Sequence, residues 1–350
     1  ALGRVADPRF NGTYFDIYLI NALDDLSSDN ILIDGRTQTA YSGDTNSGSI
    51  GAGGTNVGVS GTSLAAFDLP EIQVHRDAGD VFVNTGTTNQ IANISIFSDS
   101  NSAVRITGGS LGLNANLLGV NALGSNSGNL VTAIEVDGGA GALTANYIAT
   151  TSQQGAWIRN TTSYLIIGNH FRDNGLSNCG NNIRIVDGSG IVIRENLIEN
   201  SDAMGVDGDG FSGGLQLLEN TITGSGQDPA CFGGVGGVGV RLGGSNSTIS
   251  RNIIHSNGNA GLVLNDSSGS GNLISQNSFF SNGTAADALG IDLDQVGGFG
   301  DGVTLNDSGD SDTGPNDLVN FPIIASASIT GSELLVKGWA RPGSTLEFFF

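Results

Sequence analysis

Between Ile167 and Phe279 the chain repeats one short phrase around an asparagine: Ile-Gly-Asn169-His-Phe, Arg-Glu-Asn196-Leu-Ile, Leu-Glu-Asn220-Thr-Ile, Ser-Arg-Asn252-Ile-Ile and Ser-Gln-Asn277-Ser-Phe. The asparagines lie 27, 24, 32 and 25 residues apart, and the phrases align without gaps. Three residues before each asparagine stands an aliphatic residue (Ile166, Ile193, Leu217, Ile249, Ile274), and two after it an apolar one (Phe171, Ile198, Ile222, Ile254, Phe279). Apolar columns at fixed offsets from a polar bend residue describe a stack of like units that share one core, because a single unit of this size cannot bury its own apolar face.

Each unit also carries an upstream run of alternating character: Ala156-Trp-Ile158-Arg159, Asn182-Ile-Arg184-Ile185, Gly205-Val-Asp207-Gly208, Gly239-Val-Arg241-Leu242, Gly261-Leu-Val263-Leu264 and Gly290-Ile-Asp292-Leu293. The period of two marks short strands. Pairs such as Asn174-Gly175, Ser225-Gly226, Asn257-Gly258 and Asn282-Gly283 mark the turns, where glycine takes a positive φ at little cost. Two or three short strands per unit, no helical period and an asparagine at a fixed bend predict an all-β parallel β-helix, with inward asparagines hydrogen-bonded in a ladder from coil to coil about 4.8 Å apart. Leucine-rich repeats need a leucine consensus, and propeller blades run nearer 40 residues with other signatures, so both fit less well.

Composition agrees. The 350 residues include 56 glycines, a turn-dense share, while 38% hydrophobic residues suffice for a core. The 34 acidic residues face 12 arginines and a single lysine, Lys337, for a net charge of −21. Nucleic acid is therefore a poor partner, since phosphate binding needs clustered cations. No apolar run approaches the length of a membrane span, and no charged and apolar leader opens the chain, so it reads as a mature or trimmed segment.

The Asn-x-Ile/Phe coils resemble the right-handed parallel β-helix repeats of the pectate-lyase-like superfamily. The motifs Ile31-Leu-Ile-Asp34-Gly-Arg36 and Gly290-Ile-Asp292-Leu-Asp294, with Asp312-Thr-Gly-Pro-Asn316-Asp317, resemble a group of large bacterial secreted or surface proteins in which a β-helix precedes Ig-like modules. The resemblance implies right-handedness, a bacterial extracellular or cell-surface location and a wide choice of functions, because such helices host lyases, epimerases, adhesins and inert stalks.

Along the chain, residues 1–65 are expected to form an N-terminal cap and first coils with a Gly/Ser/Thr/Asn-rich excursion from Tyr41 to Ser63, and residues 66–295 the β-helix. Residues 296–320 read as an acidic linker and 321–350, with longer alternating strands ending at Phe350, as a partial Ig-like β-sandwich.

Three sets of residues carry chemistry. The upstream strands taken in register place Arg159, Arg184, Asp207, Arg241 and Asp292 outward on successive coils, with Val263 between the last two. Arg184, Asp207 and Arg241 would form the catalytic centre of a polysaccharide lyase or epimerase, where a carboxylate and an arginine flank the sugar; the competing reading is a ladder of opposite charges between stacked strands. Asp307, Asp310, Asp312, Asn316 and Asp317, within a run that also holds Asp292, Asp294 and Asp301, offer hard oxygen ligands for Ca2+, against a solvated acidic linker. Cys179 and Cys231 fall in equivalent loops two coils apart; the roughly 10 Å between such coils exceeds disulfide reach unless the loops protrude, and a bond between them would point outside the cytoplasm. His75, His170 and His255 lack metal-ligand spacing and read as isolated surface residues.

The leading expectation is a non-enzymatic structural or adhesin-like segment of a larger bacterial surface protein, with carbohydrate or another surface protein as partner. The alternatives are a lyase or epimerase acting on acidic glycans, and a filament subunit that assembles through its C-terminal strands.

Overall fold

In a computed structural model, residues 7–125, 131–176, 179–211, 213–228, 230–231, 237–283, 288–295, 300 and 302–348 are described. Asp301 and the terminal Phe349 and Phe350 lie outside them. Three parallel sheets of ten, nine and nine strands wrap one another, and every strand pairs with the equivalent strand of the next coil. The path within a coil is visible at Asn169. His170–Arg172 lies in the first sheet, Ile183–Ile185 in the second and Ile191–Arg194 in the third, and the chain then bends through Asn196 into the next coil.

The apolar columns are the core. Ile166, Ile193, Leu217, Ile249, Phe171, Ile198, Ile222 and Ile254 are all fully buried, and only Ile274 and Phe279 of the last coil are partly open. Strands of three to six residues suffice because each pairs along both edges with neighbouring coils and turns its inward face into the shared interior.

The asparagine ladder is longer than the repeat phrase. It begins at Asn116 and runs through Asn146, Asn169, Asn196, Asn220 and Asn252 to Asn277, each Nδ2 donating to the Oδ1 of the next at 2.9–3.1 Å. The same Oδ1 accepts the backbone N–H of the preceding asparagine, as Asn196 Oδ1 does from Asn169 at 2.8 Å. These bonds support a costly bend. The residue before each asparagine is left-handed, and of Ala115, Ala145, Gly168, Glu195, Glu219, Arg251 and Gln276 only one is glycine. A left-handed L-residue costs about 1–2 kcal/mol, which the several buried bonds of each asparagine offset at about 1 kcal/mol apiece. A second, shorter ladder occupies the turn between the first and second sheets, where Asn174, Asn257 and Asn282 hold the turn ahead of them.

Residues 1–65, expected to hold a cap and first coils, do contribute strands to the β-helix. Phe15–Tyr18 pairs with Ile72–Arg76 and Leu32–Asp34 with Asn89–Ala92, so residues 15–34 are a true first coil, followed by the short helix Arg36–Ser42. The excursion that follows is not confined to the N-terminal end. It forms two small antiparallel ladders, Ser49–Ile50 with Phe67–Asp68 and Asn56–Val57 with Thr62–Ser63, and lies as a strap along the outer face of the first sheet. Val57, Leu64 and Phe67 of the strap pack on Leu117, Val120, Tyr147, Ala149 and Leu197 in a second apolar cluster. At the far end Val59 N–H donates to the Arg251 carbonyl at 2.9 Å. Gly58 is needed there, because its φ is +65° and a Cβ would stand 2.4 Å from the Glu219 carbonyl oxygen.

At the C-terminus, Ile323–Thr330 and Glu333–Trp339 form an antiparallel hairpin that is exposed along nearly its whole length. Ile329 stands opposite Leu334 and Ala327 opposite Val336, so one face is apolar.

Candidate functional site

On the second sheet the outward rank of residues reads Arg105, Glu135, Trp157, Arg184, Asp207, Arg241, Val263, Asp292. Arg184, Asp207 and Arg241 are thus neighbours on successive coils, as their strand positions require. Arg159 is not in this rank. The strand Gln154–Arg159 pairs Trp157 with Arg184 and Arg159 with Asp137, so Arg159 stands two residues further along the same face.

The Asp207 carboxylate is engaged at both oxygens. Its Oδ1 accepts from Arg241 Nε at 3.0 Å and from the Asp209 backbone at 3.3 Å, its Oδ2 accepts from Asn181 Nδ2 at 3.3 Å, and Arg184 Nε stands 3.9 Å from Oδ2. Arg241 also reaches Asp209 at 3.3 Å. Asp207 is 3% exposed and Arg241 9%, whereas the Arg184 side chain is 45% exposed. Further down, Asp292 accepts from Gly302 N–H and Asp294 from Gly300 N–H, so the segment after the last coil folds over this face. Toward the N-terminus the same sheet carries an ion network in which Glu135 and Asp137 bind Arg159, with Arg105 at 3.7–4.0 Å from both and from Asp80; the Arg159 guanidinium lies over the Trp157 ring at 4.3 Å. The face is a ladder of opposite charges, and its central carboxylate is covered. Clefts of about 720 and 970 Å3 lie elsewhere, the first beside Arg36 and Glu71 and the second between the last coil and the C-terminal segment.

Cys179 and Cys231 are joined, with Cα atoms 5.4 Å apart, because both loops extend from the turn between the first and second sheets. Beside them Asp202 is 9% exposed, and burial, then the nearby Asp228, push its carboxyl up to about 6.

Of the five expected Ca2+ ligands, Asp307, Asp310 and Asp312 approach one another, with one oxygen of each within 4.8 Å of the others. Asn316 and Asp317 do not join them. Both are left-handed, in a turn that buries Pro315 and Leu318 against the last coil; this turns Asn316 to bond Asn272 twice at 2.9 Å and leaves Asp317 in solvent. Residues 315–318, within the stretch read as an acidic linker, dock on the β-helix. A cation already stands in the cluster: Arg341 lies 2.6 Å from Asp310.

His170 corrects the surface reading of the histidines. It is fully buried beneath the strap, its Nε2 2.9 Å from Glu199 Oε1 and its Nδ1 accepting the Ala52 N–H at 3.1 Å. His75 and His255 instead stack on Phe97 and Phe280 of the next coils. No sequence signal marked His170, since the strap that covers it is some 120 residues away in the chain (separation 118).

Three-sided coils, continuous parallel sheets and an internal asparagine ladder define a right-handed parallel β-helix protein. The family model described as right handed beta helix region matches residues 132–312, just over half of the chain, and the chain belongs to that family. No curated protein matches it. Among solved structures, the chain is similar to PfbA, a surface adhesin of Streptococcus pneumoniae, at 13% identity and a TM-score of 0.45 over 94% of this chain and 84% of that one. It is also similar to the Dettilon tailspike protein, at 14% identity and a TM-score of 0.40 over 63% of this chain; it spans 58% of the tailspike chain.

Proposed function

We propose that the chain is a rigid, non-catalytic β-helical segment of a larger bacterial surface or secreted protein, which presents its charged faces and loop walls to a carbohydrate or protein partner. The observation that carries this reading is the burial of Asp207 and the engagement of both its oxygens. A general acid or base has to reach its substrate, and this carboxylate is buried and engaged at both oxygens by Arg241, Asn181 and the Asp209 backbone. The Cys179–Cys231 bond supports an extracytoplasmic location. Incubation with uronate polymers tests the reading: neither unsaturated uronate nor an epimerised sugar is expected, and turnover that disappears in Asp207→Asn would establish the lyase or epimerase alternative with Arg184, Asp207 and Arg241 as its centre.

A filament built by strand donation is favoured by one observation, the apolar face of the hairpin formed by Ala327, Ile329, Leu334 and Val336. Sedimentation across a concentration series tests it, with end-to-end polymers as the outcome in its favour. The Ca2+ reading narrows to Asp307, Asp310 and Asp312, with Arg341 as the competing cation. Titration calorimetry on the chain and on Arg341→Ala checks it: tighter Ca2+ binding in the variant is the expected result, and no heat in either would discard the ion.

A further inference from the structure

The strap is held to the first sheet at three polar points. Thr45 and Asn46 bond Glu71 at its start, Ala52 bonds His170 in the middle, and Ser60 bonds Glu219 at the tip, where Arg251 joins them. The middle point differs from the others in its chemistry. Ala52 contributes an N–H, which can only donate, so His170 Nδ1 must present its lone pair and the ring proton sits on Nε2, facing Glu199. A protonated imidazole carries N–H on both nitrogens. At 3.1 Å that would set two donors against each other in a site with no water access, since His170 is fully buried.

The groups that face this ring from the sheet side are of mixed charge. Glu199 is in direct contact, Arg172 lies 3.6 Å from Glu199 and next to Asp173, and Tyr147 meets the ring edge-on with centroids 5.2 Å apart. The strap offers only the Ala52 N–H and the Phe67 ring, 6.0 Å away, among the described contacts. A proton on Nδ1 would meet the Ala52 N–H of the strap head-on. Gly51 shows how tight the approach is: its φ is +72°, and a Cβ there would lie 2.7 Å from Nδ1.

We infer that the strap of residues 45–69 is a proton-released cover, docked while His170 is neutral and displaced when His170 is protonated, so that acid uncovers the apolar stripe of Leu117, Tyr147 and Leu197. The released form binds one proton more than the docked form. Docking then weakens by up to about tenfold per pH unit over the range in which the released imidazole takes up its proton. The tip anchor survives longer, because Ser60 and Arg251 hold Glu219 below the usual carboxylate range against the opposing effect of burial.

Hydrogen exchange on the full chain tests this, with protection factors corrected for the intrinsic rate. Protection of the Ala52 amide is expected to fall by roughly tenfold or more between pH 7 and pH 5, while that of Ile148 in the core stays constant. His170→Gln keeps an acceptor and does not titrate, and should hold the strap at both pH values. Glu199→Gln keeps the acceptor for Nε2–H and removes the charge, and should move release to lower pH. Unchanged Ala52 protection in the native chain would overturn the inference, as would the same pH dependence in His170→Gln. If His170→Gln does not dock the strap at all, Glu199→Gln decides, and an unshifted release midpoint there rejects the mechanism.

Discussion

Arg241 Nε donates to Asp207 Oδ1 at 3.0 Å across adjacent coils of the second sheet, and both side chains are buried. Burial makes this pair one of structure. Removing one partner leaves the other charge desolvated, so Arg241→Ala is expected to cost about 3–5 kcal/mol, whereas Arg184→Ala, at an exposed position, should cost under about 1 kcal/mol. Chemical denaturation of the two variants measures both.

The asparagine ladder should be most sensitive at its centre. Asn196→Ala removes the donor to the Ile166 carbonyl and the acceptor for both the backbone and Nδ2 of Asn169. With several buried groups left unsatisfied at about 1–3 kcal/mol each, a loss near 3 kcal/mol or more is expected. Asn277→Ala, on the last full coil, should cost clearly less, and the ratio of the two in urea unfolding is the check.

Asp202 predicts a pH signature. Its folded pKa, about 6, lies above the ordinary value of 3.8, so the folded state binds the proton more tightly than the unfolded one. Stability from this group is therefore present below about pH 4 and lost as pH rises through 6. Asp202→Asn should raise the unfolding free energy at pH 7.5 by roughly 1 kcal/mol, a figure discounted for solvent screening, and leave it unchanged at pH 4. Thermal unfolding at the two pH values checks this, and equal effects at both would exclude it.

The disulfide closes a loop with a sequence separation of 52. Chain entropy sets its stabilisation at about 4 kcal/mol at most. In a solenoid the unfolded reference retains local structure, so the Cys179→Ser, Cys231→Ser double variant should lose about 2–4 kcal/mol. The loss should be concentrated in the coils from Phe171 to Leu242, read by hydrogen exchange.

Much of this architecture was legible from short-range pattern. The asparagine phrase fixes one bend per coil, and apolar residues at three before and two after it can only be columns of a shared core, as Ile193 and Ile198 prove to be. The register of Arg184, Asp207 and Arg241 followed from the same alignment, because parallel coils pair equivalent positions. Arg159 was misplaced for the same reason turned round: its strand runs past the shorter Ile183–Ile185 of the next coil, and the last residue of a run is not the equivalent one.

What the sequence by itself determined is therefore local and periodic: strand, bend, column and the coil-to-coil neighbours they imply, since stacking repeats only a nearest-neighbour rule. Tertiary structure alone decided the rest. The Gly/Ser/Thr/Asn-rich excursion has no periodicity that encodes a destination, yet it crosses the first sheet to bury His170. The outward rank of charges has no mark of depth, and whether Asp207 faces solvent depends on loops that reach it from other coils. Asn316 could serve a cation or a backbone equally well, and only the left-handed turn that seats Leu318 gave it to Asn272. Contacts between segments that share no repeat are set by where surfaces happen to complement each other, and that information does not exist until the solenoid has been built.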